Sequence, residues 1–267
     1  MITLEPIEGL SNRMRAIAAV IALCRDIDTE LRVVWTRSTG CNCRFRDIFE
    51  PLPGVKLVDR GLWANRLLRR VELYTRRHTR EIRQDEITRL AHAGYDFHQL
   101  ATERSTFIQT YDNFYPLDER PFEAFVPVSA LLKEIDRITS SFAPHTLGVH
   151  IRRGDHLASR TRSPTSAFVD RIEAELAERP NTLIYLATDS EEVETKLRRI
   201  FADRILSCPK TFSRSSVAGI RDAVVELYCL ARTHRILGSY FSSYSQTAAQ
   251  IGAIPLEVID RADAPTE

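Results

Sequence analysis

The sequence predicts an α/β protein made of two Rossmann-like halves, each with a parallel sheet. Three observations predict this class. Strand-like segments alternate with helix-like segments along most of the 267 residues. The alternation opens as strand–helix–strand, which is the unit of parallel sheets. After residue 127 the strand-like segments recur at regular spacing, each followed by a helical pattern.

The first half begins with a short β-prone segment at 2–5. A turn-rich stretch leads from it into a helix at 13–25, whose apolar residues keep helical spacing. The next strand is predicted at 31–36, with the sequence LRVVWT. Beyond it, 61–101 is predicted to be helical and rich in arginine, and 107–111 is expected to return to the sheet.

The second half is predicted to alternate between helices and strands to its end. Helices are expected at 129–142, 165–177, 191–201, 217–232 and 243–251. Strands are expected at 146–151, 182–188, 204–207, 235–238 and 256–259. We therefore predict two domains, an N-terminal domain over 1–140 and a C-terminal domain over 141–267.

The composition is that of an ordinary soluble globular protein. Lys and Arg number 37 against 36 Asp and Glu, and 43% of the residues are hydrophobic. This balance excludes disordered, collagenous and disulfide-scaffold proteins, and it lacks the positive field of a dedicated nucleic-acid binder. Of the 37 basic residues, 33 are arginine, whose guanidinium can bind a phosphate with two hydrogen bonds.

A cytoplasmic location is predicted from three features. The N-terminus has no basic stretch followed by an apolar stretch, so a secretory signal is not expected. The longest apolar run, 16–24, is too short for a transmembrane segment. The five cysteines are an odd number in scattered contexts, which favours reduced thiols.

The loop after the strand at 146–151 carries the most distinctive residues. Strand alternation sends His150 and Arg152 to one face, and Gly154 permits the turn that follows. Arg152 and Arg153, beside the acid Asp155, are a plausible clamp for a diphosphate. A surface ion pair between Arg153 and Asp155 is the alternative interpretation.

Two further loops follow strands in the same half. Asp189 precedes the helix at 191–201, where a helix cap is the simpler interpretation. Ser242 and Ser243 stand at the start of the helix at 243–251. Hydroxyls and backbone N–H groups at a helix start receive an anionic phosphate well, although they also serve as ordinary caps.

Taken together, these motifs resemble those of the fucosyltransferase superfamily. The elements His-Ile-Arg-Arg-Gly-Asp at 150–155, Ala-Thr-Asp at 187–189 and Ser-Ser-Tyr-Ser at 242–245 occur in the order of that superfamily's three motifs. The segment 8–14, Glu-Gly-Leu-Ser-Asn-Arg-Met, is similar to its glycine-containing first loop. The superfamily comprises α1,2-, α1,6- and protein O-fucosyltransferases, and the chain most resembles the bacterial α1,6-type enzymes.

The resemblance implies a GT-B fold with two facing Rossmann-like domains. The C-terminal domain is then expected to hold GDP-fucose, and the N-terminal domain to lie on the acceptor side. The implied reaction is an inverting, metal-independent transfer of fucose to a saccharide or glycoconjugate hydroxyl. GDP-fucose is the donor substrate, and no other cofactor is implied.

The resemblance also implies roles for individual residues. Arg152 is expected to contact the β-phosphate and to stabilise the leaving diphosphate, because charge builds there in the transition state. Glu226 occupies the place where family members often carry an aspartate that recognises guanine. The remaining expected donor-binding residues are Asn12, His150, Arg153, Asp155, Asp189, Ser242 and Ser243.

The general base departs from the pattern of the α1,6-type relatives. They carry a glutamate shortly after the arginine motif, whereas 156–162 contains no carboxylate here. Glu8, in the first loop, is the remaining candidate. Two alternatives stay open, namely that Glu8 is a solvent-exposed loop acid and that transfer proceeds without a base by a strongly dissociative route.

Two other classes of protein compete with a fucosyltransferase. A dinucleotide-dependent oxidoreductase would show Gly-x-Gly-x-x-Gly after a strand, and the first loop does not supply it. A non-catalytic nucleotide-sugar or glycan-binding protein on the same fold remains an alternative, because of Glu226 and the missing carboxylate. A transferase that uses another GDP-sugar also remains.

Three patterns receive no role in this site. Asp26 and Asp28 match a metal-binding Asp-x-Asp but end a helix, so no metal is expected. Cys41 and Cys43 lack two further partners for structural zinc. The basic stretch 66–83 is predicted to be a solvated helix face; if functional, it would receive an acidic glycan or a membrane surface, with no nucleic acid expected.

Overall fold

The computed structural model describes residues 1–61, 78–154, 157–211, 213 and 215–261. The chain divides into two compact units. The first comprises Met1–Val128 and Arg214–Ile220, and the second comprises Ser129–Ser213 and Arg221–Glu267. Each unit has a parallel sheet with helices, so the predicted α/β class is confirmed.

In the first unit the strands pair in the order β3-β2-β1-β5-β4, and every pair is parallel. The strands are β1 (Ile2–Pro6), β2 (Leu31–Thr36), β3 (Val55–Arg60), β4 (Arg80–Arg83) and β5 (Thr106–Thr110). The described helices are α1 (Leu10–Asp26) and α2 (Gln84–His92), with 3₁₀ turns at Phe45–Asp47 and Phe97–Thr102.

The core of the first unit lies around α1 and an aromatic cluster. Trp35, at the end of β2, is fully buried, and its Nε1 donates to Cys43 O over 3.0 Å. Phe45 meets the Trp35 ring edge-on at 5.3 Å between centroids. At 17 residues α1 is the longest helix of the described chain. Within the described ranges, no helix combines the length and apolar character that a bilayer crossing requires.

Strands β3 and β4 are not predicted from the sequence, and the helical prediction for 61–101 is wrong at β4. Residues 62–77 lie outside the described residues. Both missed strands are the edges of the first sheet. Edge strands need no continuous apolar run, and β4 (Arg-Glu-Ile-Arg) buries only Ile82. Its pattern was therefore indistinguishable from that of an exposed helix.

In the second unit the strand order is β10-β9-β6-β7-β8, again with parallel pairs. The strands are β6 (Leu147–Ile151), β7 (Ile184–Thr188), β8 (Ile205–Leu206), β9 (Arg235–Ser239) and β10 (Leu256–Ile259). The helices are α3 (Ser129–Thr139), α4 (Leu157–Arg162), α5 (Thr165–Glu178), α6 (Glu191–Phe201), α7 (Val217–Ala231) and α8 (Ser243–Gly252), with a 3₁₀ turn at Ala202–Arg204. The start of α7, residues 217–220, belongs to the first unit.

The central strands of this second sheet are buried along their whole length. Every residue of β6 and β7 is buried. Val149 and Leu186 on these strands join one apolar cluster with Phe168 on α5 and Leu197 on α6. Continuous burial is typical of parallel strands covered by helices on both faces, and it explains why these strands were predictable from their apolar runs.

The first boundary between the units falls between Val128 and Ser129, whereas the predicted boundary was 140/141. Helix α3 accounts for the difference, because it is bonded to the second unit. Arg232 Nη1, just beyond α7, donates to Asp136 Oδ1 at 2.6 Å and to Thr139 Oγ1 at 2.9 Å.

Candidate functional site

The loops after β6 and β9 meet at the centre of the second sheet. From β6 the chain moves outward to β7 and β8, and it then returns to place β9 on the other side of β6. The direction of travel therefore reverses between β6 and β9. Ligands of parallel α/β sheets bind outside the carboxyl ends of the strands at such a point, so these loops, with the loop after β7, form the candidate site.

Two glycines let the elements around this point pack closely. A Cβ on Gly148 of β6 would lie 2.5 Å from Thr233 Oγ1, and a Cβ on Gly238 of β9 would lie 2.6 Å from Ser245 Oγ. Such approaches are not sterically allowed, so helix α8 can lie on β9 only because residue 238 has no side chain. This contact places the first turn of α8 beside the carboxyl end of β9.

A buried serine joins the ends of the two central strands. Arg152 N donates to Ser239 Oγ over 3.0 Å, and Ser239 Oγ donates to His150 O over 3.3 Å. Ser239 is the last residue of β9 and is 1% exposed. Its hydroxyl therefore fixes the backbone of Arg152, whose side chain is half-buried.

Asp189, after β7, holds the next part of the same turn. Its Oδ1 accepts from Arg153 N at 2.6 Å, and its Oδ2 accepts from Gly154 N at 3.0 Å. A Cβ at position 154 would lie 2.8 Å from that Oδ2, so the approach requires glycine. The cap of α6 is Ser190, whose Oγ accepts from Val193 N at 3.4 Å. Asp189 therefore orients the arginine loop instead of capping the helix.

The guanidinium of Arg153 is hydrogen-bonded to groups of the second unit. It donates to Arg152 O, Ser163 O and Thr165 Oγ1, each over 2.9 Å. Ser163 in turn connects two more segments, since its Oγ accepts from Tyr240 N at 2.7 Å and donates to Ile259 O at 2.6 Å. These contacts make Arg153 a support of the loop.

His150 is buried against the start of α8. It is 7% exposed, and its ring lies 4.8 Å from the ring of Tyr244, between centroids. Ser242 Oγ lies 3.4 Å from His150 Nδ1. Tyr244 is held in turn by its hydroxyl, which donates to Ala223 O on α7 over 2.5 Å. The structure thus brings His150 together with Ser242 and Tyr244 of the serine motif.

The hydroxyl of the N-cap residue of α8 makes no capping hydrogen bond to the helix. Ser242 is the N-cap residue, but no backbone N–H of α8 donates to its side chain. Ser243 is the first residue of the helix and is half-buried. The preceding residue, Phe241, is 70% exposed and has a φ of 55°. This first turn has the geometry that receives a phosphate.

Glu226, on α7, is paired with a lysine that the sequence analysis did not consider. Lys210 Nζ lies 2.5 Å from Glu226 Oε1 and 3.6 Å from Glu194 Oε2. Burial raises the pKa of Glu226 to about 7, although the neighbouring ammonium opposes this shift. One acceptor oxygen of the expected guanine-binding carboxylate is therefore already used inside the protein.

Glu8 and Asn12 belong to the first unit, where the strand order reverses between β1 and β5. Glu8 follows β1 at this reversal, so its loop occupies the corresponding ligand position of the first sheet. The residue is exposed and has a φ of 67°. Asn12 lies in the first turn of α1 and is half-buried.

The remaining sequence candidates are distributed as follows. Asp155 lies outside the described residues, as does most of the basic stretch 66–83. Asp26 ends α1 and accepts hydrogen bonds from Arg25 and Tyr115. All five cysteines are free and buried. In the described part of the chain, no group of three or more His, Cys, Asp or Glu side chains is arranged to hold a metal.

Several supporting residues were missed by the sequence analysis. Ser239, Ser163 and Thr165 each bond the arginine loop or its neighbour, and Lys210 pairs with Glu226. Isolated hydroxyl residues carry no spacing signal, because these partners lie between 10 and 87 residues away in the chain. For Lys210, its rarity among 33 arginines was the available hint.

Comparison with known proteins gives matches among solved structures only. No family model matches the chain, and no curated protein matches its sequence. A structure of NodZ α-1,6-fucosyltransferase soaked with GDP-fucose matches 94% of this chain and 92% of its own, with a TM-score of 0.64 and 17% identity. NodZ from Bradyrhizobium matches 92% of both chains with a TM-score of 0.62 and 18% identity.

A second kind of fucosyltransferase also matches. POFUT1 in complex with GDP-fucose covers 97% of both chains, with a TM-score of 0.61 and 10% identity. The chain therefore has the fold of these fucosyltransferases over nearly its whole length, and the resemblance expected from the sequence motifs is confirmed for the fold.

Proposed function

We propose that this chain is an inverting, metal-independent glycosyltransferase that moves fucose from GDP-fucose to a hydroxyl of a saccharide or glycoconjugate. The observation that carries the proposal is the Arg152 turn at the β6/β9 reversal, held by Ser239 and Asp189. Its support is the shared fold with structures solved with GDP or GDP-fucose. The free, buried thiols suit a cytoplasmic location.

In this proposal the second unit binds the donor. Arg152 contacts the β-phosphate, with Ser242, Ser243 and the N–H groups of α8 around the diphosphate. The acceptor oxygen bonds to the anomeric carbon as the bond to the β-phosphate breaks, and the electron pair leaves with GDP. Glu8, in the first unit on the acceptor side, takes the proton of the hydroxyl.

The proposed donor site also includes residues with supporting roles. Asp189 and Arg153 shape the arginine loop by their bonds within the unit. His150 lies against Tyr244 beneath the start of α8. Glu226 recognises the guanine through its second oxygen, since Lys210 occupies the first. Asp155 and Asn12 complete the proposed set of donor-binding residues.

Arg152→Lys tests the proposal. Lysine keeps the charge but not the planar fork, so fucose transfer is expected to fall below about a tenth of wild type while the fold persists. Transfer is measured with GDP-fucose and a panel of saccharide acceptors, and folding by circular dichroism. Arg137→Lys is the matched control, because Arg137 is exposed on α3 and its guanidinium pairs with Glu134 on the same helix.

A second function is favoured by the Lys210–Glu226 pair, which occupies part of the expected guanine acceptor. The alternatives are that the chain binds a nucleotide sugar or glycan without catalysis, or that it transfers a sugar from a GDP-sugar other than GDP-fucose. Calorimetric titration with GDP, GDP-fucose, GDP-mannose and UDP, followed by an assay of donor hydrolysis, separates these outcomes. Binding of GDP-fucose without hydrolysis or transfer would contradict the proposal that the chain is an enzyme. Binding of GDP-mannose more tightly than GDP-fucose would contradict the assignment of GDP-fucose as the donor.

A further inference from the structure

Arg13 is a buried charged residue to which the sequence analysis gave no role. It lies on α1 and is 1% exposed. Its guanidinium donates to Glu8 O over 2.7 Å, to Thr36 O over 2.7 Å and to Ser38 Oγ over 2.9 Å. The guanidinium carbon lies 4.8 Å from the centroid of the Trp35 ring.

The three acceptors share one location in the fold. Glu8 follows β1, Thr36 is the last residue of β2, and Ser38 comes just after it. All three therefore lie at the carboxyl edge of the first sheet, next to the reversal between β1 and β5 where ligands of such sheets bind. Arg13 ties the ends of two neighbouring strands together beneath that edge.

Simple filling of the core does not account for this side chain. A buried cation loses its hydration, and here its three acceptors are two carbonyls and a hydroxyl, with no carboxylate among them. An apolar residue would fill the same volume without that loss. What only a guanidinium supplies is a rigid fork that reaches three separate acceptors at once.

One of those acceptors belongs to a residue with an uncommon backbone conformation. Glu8 has a φ of 67°, in the left-handed region that non-glycine residues rarely occupy. Such a conformation persists only when its surroundings hold it in place. The side chain of Glu8 is exposed, whereas its carbonyl is held from below by the bond from Arg13 Nε.

We propose that Arg13 is a positioning residue whose guanidinium holds the β1 loop in the conformation that aims the carboxylate of Glu8 at the acceptor hydroxyl. This inference rests on the proposed function, in which Glu8 is the general base. Arg13 acts through Glu8 and does not touch the substrate, because it is buried beneath the loop.

Arg13→Lys is the first test, since lysine keeps the charge but cannot reach all three acceptors. The kcat for fucose transfer is expected to fall about tenfold or more, the same loss that the proposed function predicts for Glu8→Gln, with the KM for GDP-fucose within about twofold of wild type. Most of the proposed donor-binding residues belong to the other unit, and the substitution leaves Asn12 in place on α1, so KM is expected to be preserved. Arg13→Gln is the second variant, because a neutral side chain carries no cost of burying a charge and is expected to fold even if Arg13→Lys fails to fold.

Ile17→Ala is the matched control for lost stability. Ile17 is fully buried on α1, one turn after Arg13, and makes no hydrogen bond to the loop. It is expected to lower the free energy of unfolding by about 2–5 kcal/mol and to leave kcat unchanged. The inference is overturned if folded Arg13→Lys and Arg13→Gln keep the wild-type kcat, or if Ile17→Ala loses kcat to the same extent.

Hydrogen exchange separates failure of this inference from failure of the proposed function. If the wild-type protein transfers no fucose, the proposed function is wrong. The positioning role of Arg13 is then tested only by the exchange rates of the backbone amides of residues 7–12. These amides are expected to exchange about tenfold faster in Arg13→Lys than in Ile17→Ala, because the loop has lost its tie. Equal exchange in the two variants would overturn the positioning role.

Discussion

At the scale of single residues, Asp189 shows how much one carboxylate can organise. Each of its oxygens accepts a backbone N–H from the turn that carries Arg152. A neutral amide at this position has one acceptor oxygen and presents an NH₂ group to the other N–H. The turn therefore depends on an acid, because a carboxylate alone offers two acceptors in this geometry.

We expect Asp189→Asn to lower the free energy of unfolding by about 1–3 kcal/mol and to reduce fucose transfer far more than that loss of stability alone would. The free energy is measured by urea denaturation, and transfer is measured under conditions where the variant is folded. Asp170→Asn is the control, since Asp170 is an exposed partner of Arg261. Wild-type transfer by Asp189→Asn would show that the turn is held without these bonds.

Glu226 makes stability depend on pH in an unusual direction. Burial raises its pKa from an ordinary 4.5 to about 7, so the folded chain binds this proton more tightly than the unfolded chain. The free energy of unfolding contributed by Glu226 is therefore largest below about pH 4.5 and declines as pH rises towards about 7. Most buried carboxylates that are salt-bridged behave in the opposite way.

The comparison of wild type with Glu226→Gln isolates this effect. Glutamine does not titrate, so the difference in free energy of unfolding, wild type minus variant, is expected to decrease between about pH 5 and pH 7.5, by a few kcal/mol at most. Urea denaturation at several pH values measures it. An increase over the same range would mean that Lys210 lowers the pKa of Glu226 more than burial raises it.

At the scale of elements, the contact between β9 and α8 decides where the serine motif lies. A Cβ on Gly238 would be 2.6 Å from Ser245 Oγ and 2.9 Å from Leu256 Cδ1. Because these neighbours belong to a helix and a strand, an added methyl group moves whole elements. The position of Ser242 and Ser243 then changes with the position of α8.

We expect Gly238→Ala to cost about 1–3 kcal/mol of stability by overpacking and to weaken GDP binding, since α8 is pushed away from the carboxyl end of β9. Thermal unfolding and calorimetric titration with GDP measure the two effects. Gly61→Ala is the control, because a Cβ there meets no atom within 4 Å. A Gly238→Ala variant with the GDP affinity of wild type would separate the packing of α8 from donor binding.

At the scale of the whole molecule, the two units carry different candidate groups. The arginine loop, the serine motif and Glu226 lie in the second unit, while Glu8, Asn12 and Arg13 lie in the first. Each unit has its own sheet and its own core. The proposed function therefore predicts that a nucleotide without an acceptor affects mainly the second unit.

Hydrogen exchange with and without GDP tests this division. Protection is expected at the loops after β6, β7 and β9, and within the first unit only around Asn12 in the first turn of α1. UDP is the control nucleotide, and Arg152→Ala is the control variant. At about 100 times its Kd, GDP is also expected to raise the free energy of unfolding by about 2.7 kcal/mol. Protection centred on the first unit would contradict the assignment of the donor to the second.

The sequence alone determined the α/β class, the central strands and the order of the site motifs. These features have local causes: buried strands such as β6 and β7 require apolar runs, and helix and strand periods are visible within a few residues. The motif containing His150 and Arg152 was recognisable because its residues are contiguous. Edge strands were missed because their exposed residues carry no such signal.

Only the tertiary structure decided which side chains serve the ligand position and which support it. Asp189 lies 36 residues beyond Arg153, and Ser239 lies 87 residues beyond Arg152, yet both bond the same turn. Arg13 and Lys210 likewise find their partners only across strands and loops. Hydrogen bonds act over about 3 Å in space, whatever the separation along the chain, so spacing in the sequence cannot reveal them.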